Sequence, residues 1–141
     1  MVDKALILRK ISELEEHLKE LDEFKDITVE IYSKDWKIQR IIERTLQITI
    51  EICIDIANHI ISEEGFRIPS SYSDTFKVLY EKEIINNELL EIMERMVRFR
   101  NIIVHNYDKI DPGIVVNIIK KNLNDFIKYK DHIISYLKRR I

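Results

Sequence analysis

Two glycines and two prolines in 141 residues leave this chain few places to turn. Average usage would supply roughly ten glycines and seven prolines. Strands joined by tight turns need those residues, so their scarcity points to a few long helices. The apolar spacing agrees. Ile7, Ile11, Leu14, Leu18 and Leu21 recur every three or four residues, which is one face of a helix. A second helix is expected from about residue 34 to 63, with Ile41, Thr45, Ile48, Ile52, Ile56 and Ile60 on one side. One stretch within it reads two ways. Ile48, Ile50, Ile52, Ile54 and Ile56 alternate with Thr49, Glu51, Cys53 and Asp55, as in a half-buried strand. No Gly or Pro bounds the run and helical spacing continues on both sides, so it is assigned to a helix buried on more than one face.

Residues 65–73, with Pro69 and three serines, form the clearest loop, and Ser73 is the expected cap of a short helix reaching about Lys82. A further helix should start near Asn86 and Asn87 and carry Leu89, Leu90, Met93, Met96 and Val97 towards His105. Asp111-Pro112 is a strong start for the last helix, because Asp can cap and Pro fits the first turn. Val115, Ile119, Leu123, Phe126 and Ile133 should point inward from it. The expected fold is all-α: four long helices and a short one in an up-and-down bundle, forming a single domain over residues 1–141.

Apolar residues make up 45% of the chain and charged residues 34%, which suits a soluble globular protein. No apolar run approaches the roughly 18 residues of a membrane span. The start, Met-Val-Asp-Lys-Ala-Leu, lacks the basic-then-apolar pattern of a secretory leader. Cys53 is the one cysteine, so no internal disulfide is possible, and a reducing cytoplasm is the expected compartment. Flanked by isoleucines, it reads as a small core residue.

The net charge of −2 conceals an uneven distribution. Eight acids lie in residues 13–30 against Lys19 and Lys25, and seven bases lie in residues 117–141 against Asp125 and Asp131. Arg95, Arg98, Arg100 and Lys109 gather near one acid, Asp108. The acidic total argues against a general nucleic-acid coat, but a local phosphate site is allowed. Solvated helix faces account equally well for the C-terminal run.

The residues best suited to chemistry are Arg100-Asn101-Ile102-Ile103-Val104-His105-Asn106-Tyr107. A permanent cation suits a phosphate or an anionic transition state, and histidine moves protons near neutral pH. On a regular helix, Arg100 and His105 stand about 140° apart and about 7.5 Å along the axis. A joint site therefore needs the reach of the Arg, a helix ending at His105, or a second chain. Bland readings stay open: His105 as a charge at a helix C-terminus, Tyr107 as a rim aromatic. Asp55 and His59 share a helix face but lack further ligands for a metal, so a polar contact across the bundle, or one lining a dimer cleft, is expected there. His17 and His132 read as surface residues. Tyr72, Tyr80, Tyr129, Tyr136 and Trp36 read as core or rim aromatics.

The Arg-x4-His-x-Tyr pattern resembles the signature of HepT-like toxins, a branch of the HEPN superfamily of small all-α ribonucleases. Glu43-Arg44-Thr45-Leu46-Gln47, Asp55-Ile56-Ala57-Asn58-His59-Ile60-Ile61 and Tyr72-Ser73-Asp74-Thr75-Phe76 are similar to segments of that family in the same order. The resemblance spans about residues 5–135. It implies a homodimeric toxin that cleaves RNA without a metal or other cofactor. His105 would be the general acid/base, Arg100 the phosphate holder and Asn101 a supporting polar residue. Tyr107 would be the residue on which an MNT-type nucleotidyltransferase antitoxin places AMP. The alternative within the same resemblance is a non-catalytic HEPN subunit that presents nucleotide or substrate to a nucleotidyltransferase.

Overall fold

The computed structural model describes residues 2–139; Arg140, the last but one residue of the basic C-terminal run, lies outside them. Among the described residues there is no strand. Helix α1 (Lys4–Asp22) opens on Asp3, whose Oδ1 accepts the Leu6 N–H at 3.1 Å. All five residues of its expected stripe are buried.

Helix α2 (Val29–Lys34) was not expected. Thr28 caps it, accepting the Ile31 N–H, and Asp35 then leaves helical backbone to cap α3 (Trp36–Glu64). Two caps seven residues apart set α2 off from α3.

Helix α3 contacts α1, α2, α4 and α5. The alternating isoleucine run lies within it and is helical, with Thr49, Ile50, Ile52, Cys53, Ile54 and Ile56 all buried. The expected inward face needs correction at its start. Ile41 is exposed and Thr45 and Ile48 are half-buried, whereas Ile42, Leu46 and Ile50 face the core. With neighbours on several sides, this helix has no single apolar stripe for spacing to identify.

Gly65 ends α3 in the left-handed region at φ 67°, and the Phe66 N–H returns to the Ile61 carbonyl at 3.0 Å. A side chain at that φ would be strained. The cap of α4 (Tyr72–Glu81) is Ser71, not Ser73. Ser71 Oγ accepts the Asp74 N–H, while the Ser73 hydroxyl donates across to Glu94 at 3.0 Å. Arg67 clamps this junction with paired hydrogen bonds to Asp74 and to Glu81, all between 2.8 and 2.9 Å.

Helix α5 (Asn87–His105) starts where expected, capped by Asn86. A short 3₁₀ turn (Tyr107–Lys109) follows, and Asp111 caps α6 (Pro112–Asn117) with Pro in the first turn. A π turn (Ile118–Asn122) joins α6 to α7 (Leu123–Arg139). The Asn117 amide donates to Asn122 Oδ1 at 3.0 Å, a bond spanning the five-residue step of that turn. Val115, Ile119, Phe126 and Ile133 are buried as expected; Leu123 is only half-buried.

The core draws buried side chains from α1, α3, α4, α5 and α7. Tyr129 meets Phe76 edge-on at 5.7 Å and donates its hydroxyl to the Cys53 carbonyl at 2.8 Å. Cys53 is fully buried, and burial pushes its thiol well above the ordinary range. No helix among the described residues is long and apolar enough to cross a membrane.

Candidate active site

Arg100, Asn101 and His105 line one groove of about 770 Å³, between the C-terminal half of α5 and the loop leading into α4. Asn58 of α3 and residues 68–73 complete its walls. The sequence left three ways for Arg100 and His105 to meet. Within one chain, the first two operate together. Arg100 lies one and a half turns before the helix end and has a long side chain. His105 is the last residue of α5, and Asn106 leaves helical backbone at φ −142° and ψ 48°.

Arg100 is held firmly. Its Nε and Nη2 both donate to Glu51 Oε2, at 2.9 and 2.7 Å, and Nη1 donates to Asn101 Oδ1 at 3.2 Å. The guanidinium stacks over the Tyr72 ring, 5.1 Å from its centre. A guanidinium has five N–H donors, and these bonds use three of them. The remaining N–H groups on Nη1 and Nη2 are available to a phosphate oxygen. Asn101 therefore touches the catalytic candidate directly, as a positioning residue would.

Glu51 and Tyr72 were missed as site residues. A signal for Glu51 existed, since a carboxylate flanked by Ile50 and Ile52 on a central helix needs a partner. That partner, Arg100, is 49 residues away and spacing does not reveal it. Tyr72 is the rim aromatic expected, and its ring is also a platform for the Arg100 cation.

Tyr107 does not line the Arg100–His105 groove. It starts the 3₁₀ turn, is 62% exposed, and lines a neighbouring groove of about 350 Å³ with Arg40, Glu43, Arg44, Gln47 and Ile103. The Arg40 guanidinium lies 5.8 Å from the centre of its ring. The two grooves share a hydrogen-bonded link, because Gln47 Nε2 donates at 3.2 Å to the same Glu51 oxygen that holds Arg100.

The other candidates have ordinary roles. Asp55 lies 3.8 Å from Lys10 of α1, the polar contact across helices that was expected. His59 Nε2 is buried and makes no hydrogen bond among the described residues. No group of three His, Cys, Asp or Glu residues with metal-binding geometry occurs among the described residues. His17 bonds Glu20, and His132 Nδ1 lies 2.9 Å from the Lys128 carbonyl. Trp36 is 64% exposed, so it belongs to the rim rather than the core.

The all-α bundle matches solved structures of HEPN toxins. One solved structure, a tri-AMPylated HEPN toxin of Shewanella oneidensis in complex with MNT antitoxin, superposes with a TM-score of 0.86. The two are 32% identical, with 96% of this chain and 99% of that chain covered. A toxin–antitoxin structure with AMP-PNP gives a TM-score of 0.87 at 31% identity, covering 93% and 98%. The family model described as ribonuclease HepT-like matches residues 14–133, and the chain belongs to that family of ribonucleases. Among curated relatives, the mRNA nuclease HepT of Shewanella oneidensis is 36% identical over 71% of this chain and 75% of its own length. The tRNA nuclease HepT of Aphanizomenon flos-aquae is 30% identical over 96% and 92%.

Proposed function

We propose that this chain is the toxin of a HEPN/MNT toxin–antitoxin pair, a metal-independent endoribonuclease working in the cytoplasm as a homodimer. The observation that carries the reading is the shared groove: Arg100, with two free N–H groups, and His105, at an exposed helix end, face the same space. Family membership supports it.

The chemistry needs no group beyond RNA and these side chains. His105 takes the proton of a 2′-hydroxyl, and the freed oxygen attacks the adjacent phosphorus. The bond from phosphorus to the 5′-oxygen breaks, leaving a 2′,3′-cyclic phosphate. The departing 5′-oxygen receives a proton and becomes a 5′-hydroxyl. That proton comes from His105, now protonated, or from solvent. Arg100 neutralises charge on the phosphate oxygens as the phosphorus becomes five-coordinate. Its bonds to Glu51 and Asn101 fix the guanidinium beforehand, so little reorganisation is needed during reaction.

Control falls to Tyr107. Its exposed Oη attacks the α-phosphorus of ATP held by the antitoxin. An Oη–P bond forms, pyrophosphate leaves, and the phenolic proton passes to the transferase or solvent. Expression in a bacterial host tests the whole reading. Wild type alone should arrest growth, and His105→Ala or a co-expressed nucleotidyltransferase partner should relieve it. Harmless wild-type expression with unmodified Tyr107 would favour a non-catalytic, nucleotide-presenting subunit.

A further inference from the structure

We propose that Arg40 and Arg44 form a phosphodiester-binding subsite that holds the nucleotide esterified on Tyr107. The inference rests on the AMPylation reading above and adds the receiving site on this chain.

Arg40 and Arg44 are one helical turn apart on α3, so their side chains rise from the same face. Both line the groove of about 350 Å³ that Tyr107 borders. The Arg40 guanidinium already lies 5.8 Å from the centre of the Tyr107 ring, and a phosphorus on Oη would be two bonds beyond that ring. Both arginines have donors to spare. The Arg40–Glu43 contact is 3.6 Å, too long for a hydrogen bond, and Arg44 makes no ion pair among the described residues. Arg100 and Arg67, by contrast, are closely paired with carboxylates.

Glu43 is the one acid lining this groove, and it is already engaged. Its side chain is 11% exposed, and its Oε2 accepts the Tyr32 hydroxyl at 2.6 Å. Two arginines against one carboxylate leave the groove with a surplus positive charge. A phosphodiester brings one negative charge and two unbridged oxygens, which suit forked guanidinium donors. The exposed aromatic ring carries the nucleotide, and the arginines receive its phosphate. Gln47, in the same groove, bonds the Glu51 oxygen that holds Arg100, so the occupied subsite abuts the support of the catalytic cation.

A backbone phosphate of RNA has the same chemistry, and the test separates the two sources. Wild type and the Arg40→Gln/Arg44→Gln double variant are modified by the nucleotidyltransferase partner with ATP. Protein carrying one AMP by intact mass is then exposed to a phosphodiesterase, and release of AMP is timed. Arg40→Lys/Arg44→Lys, which keeps the charge, controls for folding alongside circular dichroism. The subsite predicts release roughly tenfold faster from the Gln double variant, as loss of charge-assisted hydrogen bonds implies, with an intermediate rate for the Lys variant. Equal release rates overturn the subsite while leaving AMPylation intact. Equal rates with a raised KM of the unmodified Gln variant for RNA assign the arginines to substrate instead. Absence of AMP on wild-type Tyr107 overturns the modification reading and the subsite together.

Discussion

Arg100 donates two of its N–H groups to a single oxygen of Glu51, at 2.9 and 2.7 Å, across the contact between α5 and α3. The pair is largely shielded, with side chains 14% and 32% exposed. It can be read as a lock that keeps Arg100 from substrate or as a brace that aims it. The donor count favours the brace, since N–H groups on Nη1 and Nη2 remain free.

Glu51→Ala should therefore lower kcat/KM for RNA by about tenfold to a hundredfold, the scale expected when a catalytic group loses its alignment. It should also cost about 1–3 kcal/mol of stability, because Arg100 loses the partner that compensates its burial. Urea unfolding and initial-rate kinetics on the same preparations check both. Faster cleavage by Glu51→Ala would identify the pair as a lock.

Acid should weaken the Arg67 clamp that stands beside the groove. Arg67 hydrogen bonds hold the carboxyl of Asp74 well below the usual range, and Glu81 is lowered for the same reason. A carboxylate whose folded pKa is depressed adds stability that is present above its unfolded pKa of about 4 and lost as pH falls towards the folded value. Melting temperature should thus drop as pH falls below about 4, and less steeply in Asp74→Asn. Parallel curves for the two proteins would show that the clamp contributes little. The clamp matters to function because residues 68–73, which it ties to α4, form one wall of the groove.

Cys53 should be inert in the folded protein. Its side chain is fully buried and its thiol is pushed up by burial, so little thiolate forms near neutral pH. Labelling by a coloured disulfide reagent should be slow in buffer and complete in denaturant. Rapid labelling of native protein would contradict the packing around α3.

Much of the fold was legible because caps and stripes are local. Asn86, Asp111 with Pro112, and the α1 stripe all lie where their chemistry predicts. The errors arise where two local signals compete. Ser71 and Ser73 can both cap, and the difference is decided by Glu94, 21 residues from Ser73, which engages its hydroxyl. Thr28 and Asp35 each cap a helix start, and the six-residue α2 between them is too short to show a stripe.

The site was legible only along α5. Arg100, Asn101 and His105 lie on one helix, so their neighbourhood was readable, and a helix running towards His105 followed by a new start at Asp111-Pro112 fits the observed end. Glu51 and Tyr72 come from α3 and α4, and only packing brings them to Arg100. The placement of Tyr107 in a separate groove follows from a single non-helical residue, Asn106. A motif written as one string does not show that turn.

His105 is proposed to move the proton in a metal-free cleavage of RNA. The most direct measurement is incubation of a defined RNA with the unmodified protein in excess chelator, beside His105→Ala, with the product ends identified. Wild type should give 2′,3′-cyclic phosphate and 5′-hydroxyl ends, and the variant a rate about 10²- to 10⁴-fold lower. Cleavage that persists in His105→Ala, or that requires added metal, would contradict it.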